Sequence, residues 1–385
     1  MKKLAIVTTH PIQYYAPVFQ LLHQRKRIAV KVFYTWGETS IKKFDPGFNK
    51  KIEWDIPLLE GYPYEWVKNT AKDPGTHHFN GINNPEIGSQ IAEWQPDAIL
   101  IYGWGFRGHL KTMRYFKNKI PVLFRGDSTL LDEKKGVKTL LRYAYLNRIY
   151  SYVDYALYVG TNSKAYFKKH GLKENQLRFA PHAIDNDRFG ADRKLEANEL
   201  RHRLGIDEDG VVVLFTGKFE EKKAPVLLLD AFLAMKRPNA HLLFVGNGSL
   251  ETQLKLKAQE HSNIHFLPFQ NQSQMPVVYQ ACDIFCIPSK GPNETWGLAI
   301  NEAMACGNAI LSSDKVGAAV DLIKSDRNGF IFKSGDLPDL IIKLNRLLDN
   351  SKNELEEIGR NSQEMIKDWS LENQVIAIEL LTNNE

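Results

Sequence analysis

Short apolar runs that end in turn residues recur along the chain, and most are followed by a stretch with helical spacing. Leu4–Thr8 is the first, and behind it Val18, Leu21 and Leu22 share one face of a helix over Pro17–His23. Ala29–Tyr34, Ala98–Tyr102, Val122–Phe124, Tyr155–Val159 and Leu177–Phe179 read as further strands. The pattern restarts with strands at Val211–Thr216, His241–Val245, Ile264–Leu267, Ile284–Ile287 and Ala309–Ser312. Helical patterns lie between them at Pro225–Met235, Leu250–Gln259, Met275–Ala281 and Leu298–Ala305. Strands alternating with helices predict parallel sheets with helical crossovers, an α/β class.

The charged stretch Asn186–Asp209 interrupts this alternation and is poor in β-formers. A core seldom grows past about 250–300 residues, so a chain of this length divides. The expected division is a Rossmann-like domain over 1–190, a connection over 191–209 and a second Rossmann-like domain over 210–368. A terminal helix over 369–385 is expected to cross back to the first domain. Two doubly wound domains in tandem predict a cleft between the C-terminal edges of their sheets, where ligands of such sheets bind.

Composition changes this picture little, with 43% apolar and 25% charged residues, ordinary values for a globular protein. No run approaches the ~18 apolar residues of a membrane span. Leu4–Val7 is too short for the apolar core of a leader peptide, so a cytoplasmic protein is expected. Cys282, Cys286 and Cys306 have no His at ligand spacing and read as small core hydrophobes.

Charge adds an asymmetry. Residues 1–190 hold 29 Lys and Arg against 17 Asp and Glu, a net +12, and the remainder is net −7. The basic half either meets an anionic partner or simply carries solvated charge. Within it, Lys134–Ile149 is amphipathic: Val137, Leu140, Leu141 and Ala144 make one face, and Lys134, Lys138 and Arg142 make another. Such a helix either docks on a sheet or lies peripherally on anionic lipid at the inner face of a membrane.

The chemistry concentrates between Glu294 and Gly307. Pro288-Ser289 ends a strand, a Gly/Pro/Asn loop follows, and Leu298–Ala305 reads as an apolar helix stopped by Gly307. A helix start fed by such a loop offers main-chain N–H groups to a phosphate. Glu302 stands among Ala299, Ile300, Ala303, Met304 and Ala305, where an ionised carboxylate needs a partner. Either a ligand hydroxyl or a lysine would serve.

The frame Glu294-Thr-Trp-Gly-Leu-Ala-Ile-Asn-Glu302-Ala-Met-Ala-Cys-Gly resembles the signature of the family 4 retaining glycosyltransferases of the GT-B fold. The resemblance implies that Glu294 contacts hydroxyls of the transferred sugar and that Glu302 holds the ribose. It implies that the main-chain amides of Thr295, Trp296, Gly297 and Leu298 hold the donor phosphates. Gly217-Lys218-Phe-Glu-Glu-Lys-Lys223-Ala-Pro resembles the family's Gly-Arg-x-x-x-x-Lys loop, whose cations neutralise the pyrophosphate. Lys218 replaces the usual Arg, which keeps the charge and loses the planar fork.

Gly246-Asn-Gly248 resembles the family's Gly-x-Gly, Pro181-His-Ala-Ile-Asp185 its Pro-Asn-Gly-Val-Asp, and Gly317–Asp321 its Gly-Gly-x-x-Glu stretch. The N-terminal half departs from the pattern. Thr8–Tyr15 replaces a Gly-Gly loop and presents His10 and Gln13. Where many members carry a His, this chain has Arg125-Gly-Asp127, and Asp127 serves either in catalysis or as a turn residue. Trp104, between two glycines, either stacks on sugar or packs its loop. His10, Gln13, Trp104, Arg125 and Asp127 are the acceptor-side candidates.

The implied reaction moves a sugar from a nucleoside diphosphate sugar to a hydroxyl of a glycan or lipid-linked acceptor, in bacterial envelope polysaccharide or glycoconjugate synthesis. Glu294, Lys223 and Asp127 are its expected catalytic residues. No metal, cofactor or nucleic acid is expected, and Asp185-Asn-Asp187 is given no metal role. Two alternatives stay open: a non-catalytic nucleotide-sugar-binding subunit, and a sugar-nucleotide epimerase on the same fold.

Overall fold

The computed structural model describes residues 1–40, 43–45, 50–134 and 136–383. Spatial proximity divides the chain into two compact units. Unit 1 comprises Met1–Lys43, Ile56–His182 and Leu371–Glu385, and unit 2 comprises Phe44–Asp55 and Ala183–Ser370.

The sheet of unit 1 contains β1 (Lys3–Thr8), β2 (Ala29–Tyr34), β5 (Tyr64–Trp66), β6 (Ala98–Tyr102), β7 (Val122–Arg125), β8 (Tyr155–Tyr158) and β9 (Leu177–Phe179). The short strands β3 (Lys43–Asp45) and β4 (Lys50–Ile52) form a separate ribbon. The main sheet runs β5-β2-β1-β6-β7-β8-β9, and every pairing in it is parallel. β1 sits centrally, pairing Lys3 with Ala29 on one side and Leu4 with Ala98 on the other. Its side chains alternate between two cores. Ala5 and Val7 join one with Val122 and Phe124, and Leu4 and Ile6 join the other with Leu100 and Leu123. A strand buried on both faces must be apolar throughout, which is why β1 reads as a continuous run.

Unit 2 repeats the plan with β10 (Val211–Thr216), β11 (Ala240–Val245), β12 (Ile264–Leu267), β13 (Ile284–Ile287), β14 (Ala309–Ser313) and β15 (Gly329–Phe332). Their order is β12-β11-β10-β13-β14-β15, again parallel, and the order reverses at β10. Each unit is thus a Rossmann-like doubly wound domain.

The structure departs from the sequence-based boundaries in three places. The chain passes between units at His182/Ala183. The stretch 191–209, expected to be a connection, instead lies within unit 2 and forms the helix Lys194–Arg203. Its polarity reflects an exposed helix that buries only Ala197 and Leu200. The excursion Phe44–Asp55 joins unit 2, where Asp55 accepts from the Ser273 N–H at 3.2 Å and Asn271 Nδ2 donates to Glu53 O at 2.8 Å. The helix Leu371–Asn383 belongs to unit 1. There Val375, Ile378 and Leu381 close the core around Leu4 and Ile6, and Glu379 accepts from Arg25 Nε at 2.9 Å.

The helix Val137–Tyr150 buries a different face from the one its apolar spacing suggests. Leu146, Ile149 and Tyr150 are buried, whereas Val137, Leu140 and Leu141 are 76%, 68% and 67% exposed. Among the described residues no helix is long and apolar enough to cross a membrane.

Candidate functional site

At the C-terminal edge of the unit 2 sheet, two loops run backbone to backbone. Gly217 follows β10 and Gly246 follows β11. The Gly217 N–H donates to Val245 O at 3.0 Å, and the Phe219 N–H donates to Asn247 O at 3.0 Å. A Cβ on Gly246 would lie 2.0 Å from Gly217 O, and one on Gly248 would lie 2.6 Å from the Phe219 N. The Gly-x-Gly is therefore set first by close main-chain packing. Gly217 is different: its φ is +135° and a Cβ there would meet open space. That leaves bare backbone facing outward, followed by the half-buried Lys218.

The loop after Gly217 carries Lys223 to the loop after β13. The Lys290 N–H donates to Lys222 O at 2.8 Å and ties the two together. Lys223 Nζ forms an ion pair with Glu294 Oε2, and Ser289 Oγ donates to the same oxygen at 2.8 Å. The two charged side chains are only 25% and 12% exposed, so the pair sits at the rim of the site. It links both sequence motifs.

Glu302 is 4% exposed, and a tyrosine is among its partners. Tyr279 Oη donates to Glu302 Oε2 at 2.8 Å and lies 3.1 Å from Thr216 Oγ1. Tyr279 itself is fully buried. Thr216 ends β10 immediately before Gly217, so the chain Glu302–Tyr279–Thr216 fixes the buried carboxylate relative to the open glycine. Sequence reasoning missed Tyr279, Thr216 and Ser289. Tyr279 occupies a helix of apolar spacing, and only its hydroxyl sets it apart.

A second strap braces the segment between the two glutamates. The Gly317 N–H donates to Glu294 O at 3.0 Å, and the Ala318 N–H donates to Trp296 O at 2.9 Å. Trp296 is buried, and its indole donates to Asn301 Oδ1 at 2.9 Å. Its side chain is thus an anchor. Gly297 has φ +92°, which turns the chain into the helix Ala299–Ala305 after Leu298. A Cβ on Gly317 would lie 1.7 Å from Thr295 O, too close for any side chain. Gly317→Ala is accordingly expected to displace Thr295–Leu298 and lower the Tm by roughly 2–4 °C or more, with weaker nucleotide retention. Calorimetry with and without nucleoside diphosphate checks this. An unchanged Tm and affinity would show that the strap is dispensable.

The N-terminal candidates lie at the corresponding edge of unit 1. Arg125 is buried, and its guanidinium donates to Ala180 O at 2.8 Å and Pro181 O at 2.9 Å. Both arms of the fork hold main chain, so it anchors the segment before His182. Asp127 follows on a half-buried loop. Tyr15, its ring tilted at 44° to that of Tyr102 with centroids 4.7 Å apart, has its hydroxyl pKa raised by burial and then by the Asp127 charge. Burial and then Arg125 hold His182 at about 3, so it is neutral. Tyr15, Tyr102 and His182 were not anticipated around Asp127. Trp104 packs edge-on to Tyr145 at 5.9 Å, as a loop anchor does. His10 meets Trp36 edge-on at 5.2 Å and Thr9 Oγ1 at 2.8 Å, and Gln13 sits half-buried in the next turn. The three cysteines are free and buried. Asp185 accepts from the Arg188 N–H at 3.0 Å as a helix cap.

Residues 196–365 match the family model of the glycosyl transferases group 1. The chain carries a group 1 glycosyl transferase domain. That domain contains the Gly217–Lys223 loop, both glutamates and the Gly317 strap. Among similar proteins, the sulfoquinovosyl transferase SQD2 of Arabidopsis thaliana is 29% identical over 201 residues, 51% of this chain and 38% of that one. A D-inositol 3-phosphate glycosyltransferase of Gordonia bronchialis is 30% identical over 193 residues, 46% of this chain and 41% of that one. The match to these relatives spans about two fifths of their length. The crystal structure of Anabaena HepE in complex with UDP is similar over the whole of both chains, with a TM-score of 0.72 at 19% identity. At that identity the likeness is one of fold, and it places the group 1 domain within a GT-B chain.

Proposed function

We propose that this chain is a retaining glycosyltransferase that moves a sugar from a nucleoside diphosphate sugar to a hydroxyl of a glycan or lipid-linked acceptor. The observation that carries this reading is the convergence of Lys223, Glu294 and Ser289 beside the bare Gly217 backbone, with Glu302 held by Tyr279 on the same sheet edge. In it, Glu302 grips the ribose hydroxyls and Glu294 contacts the transferred sugar. Lys218, Lys223 and the main chain of Thr295–Leu298 receive the pyrophosphate. A UDP-sugar is the first donor to test, because the HepE structure holds UDP.

In the reaction the bond from the anomeric carbon to the pyrophosphate oxygen breaks, and a bond to the acceptor oxygen forms on the same face. The acceptor proton passes to a donor phosphate oxygen, and the nucleoside diphosphate leaves. Charge accumulates on the leaving pyrophosphate, where fixed cations lower the barrier. With both lysines in place, the transfer needs no metal. Asp127 is the unit 1 carboxylate assigned to the acceptor. The decisive assay follows transfer from UDP-, GDP-, ADP- and dTDP-sugars with Glu294→Ala as comparison. Donor binding without turnover on any acceptor would favour a non-catalytic subunit, and free sugar or epimerised product would favour an epimerase.

The same reading places the chain at an anionic membrane, consistent with envelope glycoconjugate synthesis. Its support is the exposed apolar Val137, Leu140 and Leu141, interleaved with the exposed Lys134, Lys138 and Arg142. Each Leu taken into lipid contributes about 1.5–3 kcal/mol, and each cation near the surface about 1 kcal/mol. Leu140→Glu with Leu141→Glu is expected to reduce sedimentation with phosphatidylserine vesicles at least tenfold. Added salt should weaken binding of the unaltered chain. Absence of wild-type binding to anionic vesicles would overturn this placement.

A further inference from the structure

We propose that Asp73, His77 and His78 of unit 1 form a binding site for a divalent transition-metal ion, best suited to Zn2+. Among the described residues this is the group of metal-ligating side chains that converges: one ligand atom from each lies within 4.8 Å of the other two. His77 Nε2 is 3.0 Å from Asp73 Oδ2, and His78 Nε2 is 3.4 Å from the same oxygen and 3.1 Å from Asp73 O. Zinc holds such ligands at about 2.0–2.2 Å in a tetrahedron, which puts neighbouring ligand atoms about 3.3 Å apart. Two of the three separations are already near that value. Two imidazoles and one carboxylate are a borderline donor set that suits zinc better than the hard ions magnesium or calcium.

The loop that carries them is built before any ion arrives. It leaves β5 and is tied to the residues just past β2, because Asn84 Nδ2 donates to both Thr35 O and Lys68 O at 2.9 Å. Asn69 organises the interior, donating to Gly81 O at 2.9 Å and accepting from the Asn83 N–H at 2.9 Å and the Ala71 N–H at 3.1 Å. The Gly75 N–H donates to Gly81 O at 3.0 Å and closes the ring around the ligands. Glycine is needed at Gly81, where a Cβ would lie 2.2 Å from Gly75 O. The ligands themselves are solvent-accessible, with side-chain exposures of 72%, 61% and 37% for Asp73, His77 and His78. An ion can therefore enter directly. Three protein ligands leave at least one coordination position for water or for an oxygen of an anionic ligand.

The site lies at the C-terminal edge of the unit 1 sheet, the edge at which ligands of such sheets bind. It does not depend on the proposed transfer reaction, whose cations are Lys218 and Lys223 in unit 2. The test titrates the intact, tag-free chain with Zn2+ by calorimetry and follows Co2+ substitution by visible absorption. One ion per chain is expected. His77→Ala, His78→Ala and Asp73→Asn should each weaken binding on the order of 10–100-fold or more, since even an outer partner is worth that much. His261→Ala, an exposed histidine elsewhere, should change nothing. All of these variants alter exposed side chains, so circular dichroism should report an intact fold. Failure of Zn2+ to bind at millimolar concentration, or binding that survives the His77→Ala/His78→Ala double substitution, would overturn the proposal.

Discussion

Lys223→Ala is expected to lower kcat by roughly 10²–10³-fold, the cost of removing one preorganised donor from a developing negative charge. In the resting site Lys223 is paired with Glu294 and only a quarter exposed. In the proposed transfer, that position would hold the ammonium close to the departing pyrophosphate, without requiring it to bind substrate strongly beforehand. The interaction therefore strengthens as the glycosidic bond breaks. A loss of this kind lowers kcat and kcat/KM together. Lys223→Arg keeps the charge and should recover part of the rate, though its planar fork will not reproduce the contact with Glu294 Oε2. Steady-state kinetics on both variants checks the assignment. A raised KM with unchanged kcat would make Lys223 a ground-state binding residue and remove it from the chemical step. The substitution leaves Ser289 on Glu294, so the carboxylate keeps one partner and the fold should hold.

Glu302→Gln is expected to weaken nucleotide binding on the order of 10–100-fold. The amide has the same shape and can still accept from Tyr279, so the buried network survives. What disappears is the charge on a hydrogen bond to the ribose, worth about 1.5–3 kcal/mol. A 2′,3′-dideoxynucleoside diphosphate separates this from a general loss of fit. It should bind the unaltered chain and the Glu302→Gln variant equally weakly, because the hydroxyls that distinguish the two proteins are gone. If the variant also loses affinity for the dideoxy compound, Glu302 acts on the fold of the loop instead. Tyr279→Phe removes the hydroxyl that fixes Glu302 against Thr216. It should produce a smaller loss in the same direction.

Much of the fold was legible because parallel strands buried on both faces leave uninterrupted apolar runs. β6, β10 and β13 stand where those runs predict them. β5 and β15 escaped notice for a physical reason: Tyr64–Trp66 is a short edge strand with partly exposed side chains, and β15 begins at a glycine. The helix Leu371–Asn383 was anticipated, whereas the return of Phe44–Asp55 to unit 2 leaves no periodic trace.

The site divides similarly. Glu294, Lys223 and the glycines were visible because their spacing is local. The contacts of Tyr279 with Glu302 and Thr216 span 23 and 63 positions, and no spacing rule reaches that far. On the N-terminal side, Arg125 was legible as a charge, but its commitment to Ala180 and Pro181 carbonyls was not. Neither was the exposure of Leu140 and Leu141, since apolar periodicity says which residues share a face and not what that face meets.

The terminal helix gives the chain an unusual kind of indivisibility. Val375, Ile378 and Leu381 complete a core whose other members begin at Leu4, so a segment made after unit 2 finishes the unit that was started before it. During synthesis, the helix Ala16–Arg25 and β9 wait for this partner while the whole glycosyl transferase domain is made. For the same reason the N-terminal half is not a cassette. Lineages that exchange unit 1 by recombination would have to exchange its separated segments together, or keep this helix compatible with every new partner.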